Sequence, residues 1–122
     1  NGDYLFKLEG DNIINLDNNT LINNSDYIIK SINSKSIINL NNQSIDGNIY
    51  IDANSELTIN MKSSYLNSKV LNNKIFNINM DIDSTLILNN NLYVNSFNNE
   101  DISLSNIEFN NYHIHINNEL YK

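Results

Sequence analysis

The feature that most constrains the fold is an alternation of apolar and polar residues that recurs along the chain. Segment 57–62 reads Leu-Thr-Ile-Asn-Met-Lys, and segment 76–83 reads Phe-Asn-Ile-Asn-Met-Asp-Ile-Asp. Successive side chains of a β-strand point to opposite sides, so a period of two predicts strands with one buried side. No segment shows the period of an amphipathic helix. The sequence therefore predicts an all-β protein.

Asparagine supplies most of the breaks between these runs. It makes up about a quarter of the 122 residues, whereas the chain has three Gly and no Pro. Asn adopts the left-handed backbone conformation more readily than most non-glycine residues. Clusters such as Asn41-Asn42, Asn89-Asn90-Asn91 and Asn110-Asn111 are therefore predicted to be corners between short strands.

A looser repeat accompanies the alternation. The segment Ile13–Asn18 matches Ile37–Asn42, and Leu57–Met61 and Leu86–Asn90 match less closely, at offsets of about 20 to 29 residues. Repeats of this length are typical of stacked coils. They predict a short parallel β-solenoid, or β-helix, in which Asn residues at repeated turns form hydrogen-bonded ladders. An antiparallel β-sandwich or jelly roll is the alternative, because it produces the same alternation.

Length and charge narrow the classes of protein to consider. Residues 1–122 are expected to form a single β domain, and the start at Asn1 suggests a segment of a longer exported protein. The formal net charge is −7 and Arg is absent, which argues against nucleic-acid and anionic-membrane partners. No run of apolar residues is long enough for membrane insertion as a helix.

The middle of the chain resembles the passenger region of bacterial autotransporter adhesins and related β-helical surface proteins. The similarity lies in four segments, Asn54–Asn60, Ser63–Ser68, Val70–Asn73 and Phe76–Asn79, about a fifth of the chain. Each combines small or polar turn residues with a short alternating strand. The resemblance implies a parallel β-helix that is exported to the cell surface, and it implies no particular ligand.

One predicted strand carries the main candidate metal site. Asp81 and Asp83 are expected to share a face with Asn77 and Asn79, which makes an oxygen-rich strip. Such a strip suits Ca²⁺, with the two Asp as ligands, or the hydroxyl groups of a sugar bound by the two Asn. A solvated polar face is the alternative interpretation of this strip, and no other cofactor is expected.

Aromatic and imidazole side chains give two further candidates. Alternation places Tyr50 and Tyr93 on the outer side of their strands, where the rings could stack against a sugar or a protein. His113 and His115 project from one face, and Glu119 is a possible third metal ligand. Two His without a fixed third ligand make a poor site, so a solvated outer face is the expected reading.

These features favour an extracellular structural or adhesive module at the cell surface. Nothing in the sequence indicates capped strand edges, so self-association into fibres is expected, with a cell-surface or glycan partner as the other prospect. A carbohydrate-binding module, with calcium or without it, is the alternative. A polysaccharide lyase or hydrolase fragment is the second alternative. Catalysis is not expected, because no glycine-flanked serine elbow is present and the chain lacks the Arg that recognises acidic sugars.

Overall fold

The chain folds as a parallel β-solenoid of about five turns, as the alternation and the repeat predict. The computed structural model describes residues 4–18, 20–22, 26–72 and 75–122. Asn73, at the end of one of the segments named above, lies outside them. Of the twelve strand pairings among the described residues, eleven are parallel. The alternative of an antiparallel sandwich is therefore wrong.

Each coil contributes strands to three faces. We call the first the Asn face; it contains the C-terminal halves of β1 (Tyr4–Asp17) and β3 (Tyr27–Asn41), followed by β6 (Glu56–Lys62), β9 (Ile75–Met80) and β12 (Ser96–Asn99). The second face contains β2 (Thr20–Ile22), β4 (Ser44–Asp46), β7 (Tyr65–Ser68), β10 (Thr85–Leu88) and β13 (Ile107–Glu108).

We call the third the Tyr face. It contains the N-terminal halves of β1 and β3, followed by β5 (Ile49–Ile51), β8 (Val70–Asn72), β11 (Leu92–Val94) and β14 (Ile114–Ile116). The coil repeat brings β11 into line with β8. The side chain of Asn90 bonds both the N–H and the carbonyl of Val70, at 3.2 and 2.8 Å, and so links β8 to the following coil.

The interior is one continuous apolar core. Alternate residues of every long strand point inward, so Ile49 of the Tyr face, Ile59 of the Asn face and Leu66 of the second face are all fully buried. Parallel stacking in register puts aliphatic side chains above aliphatic side chains. Burial of each such side chain stabilises the fold by about 1.5–3 kcal/mol before the cost in conformational entropy.

Asn forms most of the tight corners, as predicted. Nine non-glycine residues of the described part have a positive φ, and seven of them are Asn: Asn18, Asn33, Asn42, Asn110, Asn111, Asn117 and Asn118. The last two form a two-residue turn that leads into β15 (Glu119–Leu120), which pairs antiparallel with β14. This hairpin covers the outer edge of β14. Among the described residues, the unpaired edge at this end of the Tyr face therefore belongs to β15, which is only two residues long, and self-association stays a prediction.

The repeat read from the sequence is only partly correct. Ile13–Asp17 and Ile37–Asn41 stack in register on the Asn face, where Asn15 pairs with Asn39. The loosely matching Leu86–Asn90 segment lies elsewhere, because its strand β10 stacks on β7 in the second face. A composition rich in Ile, Leu and Asn makes different faces look alike in sequence.

Candidate functional site

A ladder of five asparagines runs along the outside of the Asn face. Strand register places one Asn of each coil in line with the next. Each of these Asn after the first donates its side-chain N–H to the Oδ1 of the Asn in the preceding coil. The ladder consists of Asn15, Asn39, Asn60, Asn79 and Asn98. The four rungs measure 2.9, 2.9, 2.7 and 2.6 Å in that order.

These amides retain hydrogen-bonding capacity. A primary amide has two N–H donors and two acceptor lone pairs. An interior ladder residue such as Asn60 uses one of each: it donates to Asn39 and accepts from Asn79. One donor and one acceptor per coil therefore remain for another molecule. Because the ladder fixes the side-chain rotamer, these groups are already ordered before anything binds.

A second polar row lies beside the ladder in the last three coils. Asn77 donates to Thr58 at 3.3 Å and accepts from Ser96 at 2.9 Å. In the first two coils the same row carries Ile13 and Ile37, which are 71% and 38% exposed. These two rows of the Asn face are therefore both polar only from the third coil onward.

An open groove of about 920 Å³ follows the ladder. All five ladder Asn line it, together with residues on the side where the strands turn toward the second face. Four of those residues are charged: Asp17, Lys62, Asp81 and Glu100. At the end formed by the last coil, Tyr121 lines the groove and packs against Phe97, with the ring centroids 6.0 Å apart. The C-terminal hairpin thus places an aromatic ring at one end of the groove.

The structure separates the four residues predicted to bind a ligand into two groups. Asn77 and Asn79 share the outer side of β9, as predicted, and Asn79 lines the groove. Tyr50 and Tyr93 lie on the Tyr face, where alternation correctly places both rings outward: Tyr93 is 46% exposed and Tyr50 is half-buried. The pair of Asn and the pair of Tyr therefore cannot form one site.

The Tyr face carries its own outward column. Tyr50 pairs in register with Lys30 on one side and Leu71 on the other. Two coils later Tyr93 pairs with His115, and their rings stack at 4.7 Å with an interplanar angle of 15°. The imidazole of His115 thus packs against an aromatic ring.

The predicted acidic strip is not a strand face. Strand β9 ends at Met80, and Asp81 to Asp83 form a turn in which Ile82 is 63% exposed instead of buried. The carboxylate of Asp81 accepts the backbone N–H of Ser63 at 3.1 Å and the hydroxyl of Ser84 at 2.7 Å. The interpretation of Asp81 and Asp83 as two ligands on one strand face is therefore wrong.

Asp81 belongs to a corner motif that occurs twice in the described part of the chain. In both copies an Asp-X-X-Ser turn accepts two consecutive backbone N–H groups from the coil before it. The second copy uses Asp52 and Ser55, which accept from Asn33 at 3.3 Å and from Ser34 at 3.1 Å. The matching bond from Ser64 to Ser84 measures 3.0 Å. Asn33 and Ser63 both have φ near +48°, so the Asp carboxylate stabilises a left-handed corner.

Hydrogen bonding lowers the pKa of two carboxyls, Asp52 in this motif and Asp101 in a different turn. The Ser55 hydroxyl, 2.6 Å from Asp52, lowers the pKa of Asp52 most; burial opposes this, and the N–H groups of Asn54 and Asn33 add to it. Bonds from the hydroxyls of Ser103 and Ser105 lower the pKa of Asp101 in the same way. Both carboxyls are therefore ionised at neutral pH, where they accept these bonds.

The positions of the side chains do not support a metal site. Across the described ranges no cluster of three or more His, Cys, Asp and Glu residues is close enough to hold an ion. Calcium binding stays a prediction. In the same residues no helix qualifies as a membrane span.

Two parts of the groove were missed in the sequence. The Asn ladder was expected at turns, whereas its longest run lies on strands; the in-register match of Asn15 with Asn39 was the signal that could have revealed it. Tyr121 reaches the groove only because the Asn117-Asn118 turn reverses the chain. Both Asn have a positive φ, which a two-residue type I′ hairpin turn requires at its central positions, so this dipeptide was the signal in the sequence.

The comparisons with known proteins found no relative of this chain. No protein family, no curated protein and no solved structure matches the chain.

Proposed function

We propose that this chain is a surface-exposed, extracellular adhesive module in which a rigid β-solenoid carries an elongated ligand-binding groove. The observation that supports this most is the length of the groove, because its lining includes residues from every strand of the Asn face. Hydrogen-bonded strands fix the spacing of these residues, so little conformational entropy is lost on binding. An extended chain molecule, such as a cell-surface glycan, fits this shape.

The assigned role is binding without catalysis. Asp81, one of the carboxylates that line the groove, already accepts hydrogen bonds from Ser63 and Ser84. A lyase or hydrolase needs an acid or base that can reach its substrate. A corner carboxylate with two internal donors suits a structural role better.

A glycan array probed with the labelled 122-residue chain tests the proposal. We expect binding that falls at least about tenfold when Asn98→Ala and Tyr121→Ala are combined, since both residues line the groove at its accessible end. Tyr93→Ala is the matched control, because it removes an exposed ring from the Tyr face. Equal binding by the double variant and the parent would contradict a site in the groove.

Self-association is a second candidate function. Strand β1 is 14 residues long and, among the described residues, pairs only with β3. A strand from another chain that paired with its opposite edge would extend the sheet by β-augmentation. The hairpin β14–β15 closes part of the other end, so a discrete pair of molecules is the expected product in place of a long fibre. Light scattering that reports a monomer at every concentration would contradict this.

A further inference from the structure

We propose that the groove binds an unbranched, uncharged polysaccharide in extended conformation, which lies along the solenoid axis with about one sugar over each coil. This inference rests on the proposed function, because it names the ligand class of the same groove. Three properties of the Asn face support it: the hydrogen-bonding groups that each ladder amide leaves unused, the spacing of the coils and the charge of the side chains that line the groove.

The unused donor and acceptor of each ladder amide match a sugar. Each interior Asn of the ladder leaves one N–H and one lone pair of its side chain available. Neighbouring hydroxyls of a pyranose offer a donor and an acceptor at similar separation. An amide and a pair of hydroxyls therefore form two hydrogen bonds at once. Along one edge of an extended polypeptide, only every second residue presents its N–H and C=O groups. A polypeptide therefore matches one amide per coil less well than a polysaccharide does.

Coil spacing matches the length of a sugar unit. Parallel strands lie about 4.8 Å apart, so the ladder extends about 19 Å from Asn15 to Asn98. The rise per sugar of an extended β-1,4-linked chain is close to one strand spacing. Alternate sugars are flipped in such a chain, so one edge presents the two ring hydroxyls of one sugar and then the hydroxymethyl group and ring oxygen of the next. Both pairs contain a donor and an acceptor, as each ladder amide requires. One ligand molecule can therefore meet several coils in succession.

The wall of the groove disfavours an anionic chain. Three carboxylates, Asp17, Asp81 and Glu100, stand against one ammonium group, Lys62, which leaves a local charge of −2 (three negative, one positive). The whole chain has a formal charge of −7. Both fields repel uronic acids and sulfated sugars. An uncharged polyol has no such penalty and needs no cation to bind.

An aromatic ring supplies the apolar contact at one end. Tyr121 is 42% exposed, lines the groove and packs on Phe97. The C–H face of a pyranose packs well on an aromatic ring, whose large surface is held with little loss of entropy. A sugar over the last coil therefore has a stacking partner in addition to Asn98.

Calorimetric titration with cello-oligosaccharides of increasing length tests the proposal. We expect affinity to rise about twofold to tenfold with each added sugar, as one or two net hydrogen bonds form, until the oligomer spans the ladder, and then to level off. Tyr121→Ala should weaken the longest oligomer about tenfold. Tyr93→Ala, on the Tyr face, should leave every affinity unchanged. Circular dichroism checks that both variants keep the fold.

Oligomers of β-1,4-linked glucuronate and of chitosan have the same linkage as cello-oligosaccharides but carry charge, so these two series separate the two levels of the proposal. Tighter binding of either charged series would overturn the ligand class and leave the adhesive groove in place. Affinity that is independent of oligomer length would overturn the arrangement of one sugar per coil. Absence of binding to all three series, or loss of binding in Tyr93→Ala with none in Tyr121→Ala, would overturn the groove as a site and with it the proposed function.

Discussion

The Asn face and the Tyr face have the same backbone arrangement and opposite surface chemistry. Both are parallel stacks whose inward residues are buried aliphatic side chains, such as Ile59 and Ile49. Outward, the Asn face repeats one short amide that bonds from coil to coil, whereas the Tyr face presents larger side chains, among them Tyr50 and Tyr93. The inward rows fix the fold, and the outward rows are available to differ because their side chains do not fill the core.

This difference shows why the groove lies where it does. Asn is short, so a row of Asn leaves space between it and the longer side chains at the corner, such as Lys62 and Glu100. Tyr and His rings fill the corresponding space on the Tyr face by stacking on each other. The first arrangement leaves a groove that can hold an extended molecule, whereas the second places aromatic rings in the outward column.

The largest expected effect tests whether the two faces share one core. Ile59→Ala and Ile49→Ala should each lower the free energy of unfolding by about 2–5 kcal/mol, because both side chains are fully buried. The measurement is denaturant unfolding. Ile102→Ala is the matched control: its side chain is 93% exposed, so the change should stay within about 0.5 kcal/mol. A negligible cost at Ile49 alone would show that the Tyr face lies outside the common core.

The corner that joins the two faces should have the next largest effect. Asp52 lies between β5 of the Tyr face and β6 of the Asn face. Asp52→Ala removes the acceptor of the Asn33 N–H and the Ser55 hydroxyl and should cost about 1–3 kcal/mol in denaturant unfolding. Asp83→Ala is the control, since Asp83 is exposed and accepts no hydrogen bond in the described part. If both changes lower the free energy of unfolding equally, the Asp52 corner has no special role in stability.

Breaking the Asn ladder should cost slightly less. Asn60→Leu keeps the size of the side chain but removes two rungs, and should lower the free energy of unfolding by about 1–2 kcal/mol. Asn98→Leu removes only the rung to Asn79, so about half that cost is expected. Two equal values would mean that the rungs do not stabilise the stack.

Acid should weaken the same Asp52 corner. Hydrogen bonds, that of Ser55 first, hold the pKa of Asp52 below its unfolded value. A depressed pKa stabilises the fold above the unfolded pKa, and this contribution is lost as the pH falls through the folded pKa. Between about pH 5 and about pH 2 the parent should therefore lose more stability than Asp52→Asn, which does not titrate. If the melting temperatures of the two proteins fall equally with pH across that range, the prediction is wrong.

Removing a ring from the Tyr face should have the smallest effect. Tyr93→Ala loses a stacked contact with His115 on an exposed surface and should cost about 0.5–1 kcal/mol. Tyr112→Ala, at 39% exposure and without a ring contact in the described residues, should cost less. A double-mutant cycle with His115→Ala measures the coupling directly, and a coupling of zero would make the two rings independent.

The sequence by itself determined the strands and the corners. Alternation in 57–62 and 76–80 predicts which side chains are buried, because a strand has a period of two in any fold. Paired Asn residues predict corners, because Asn adopts a positive φ at low cost, as Asn42 and Asn110 do. Both are local properties, so both can be read without knowing which strands pair.

Only the tertiary structure decided which residues share a surface. Asn79 and Tyr93 were both correctly expected to face outward, yet they lie on different faces. Asp81 continues an alternating pattern, yet it caps a corner of the preceding coil at Ser63. Coils of this chain differ in length, so one-dimensional spacing does not give the register. The long-range parallel pairings fix it, and they align five separate asparagines into one ladder beside a ring from the C-terminal hairpin.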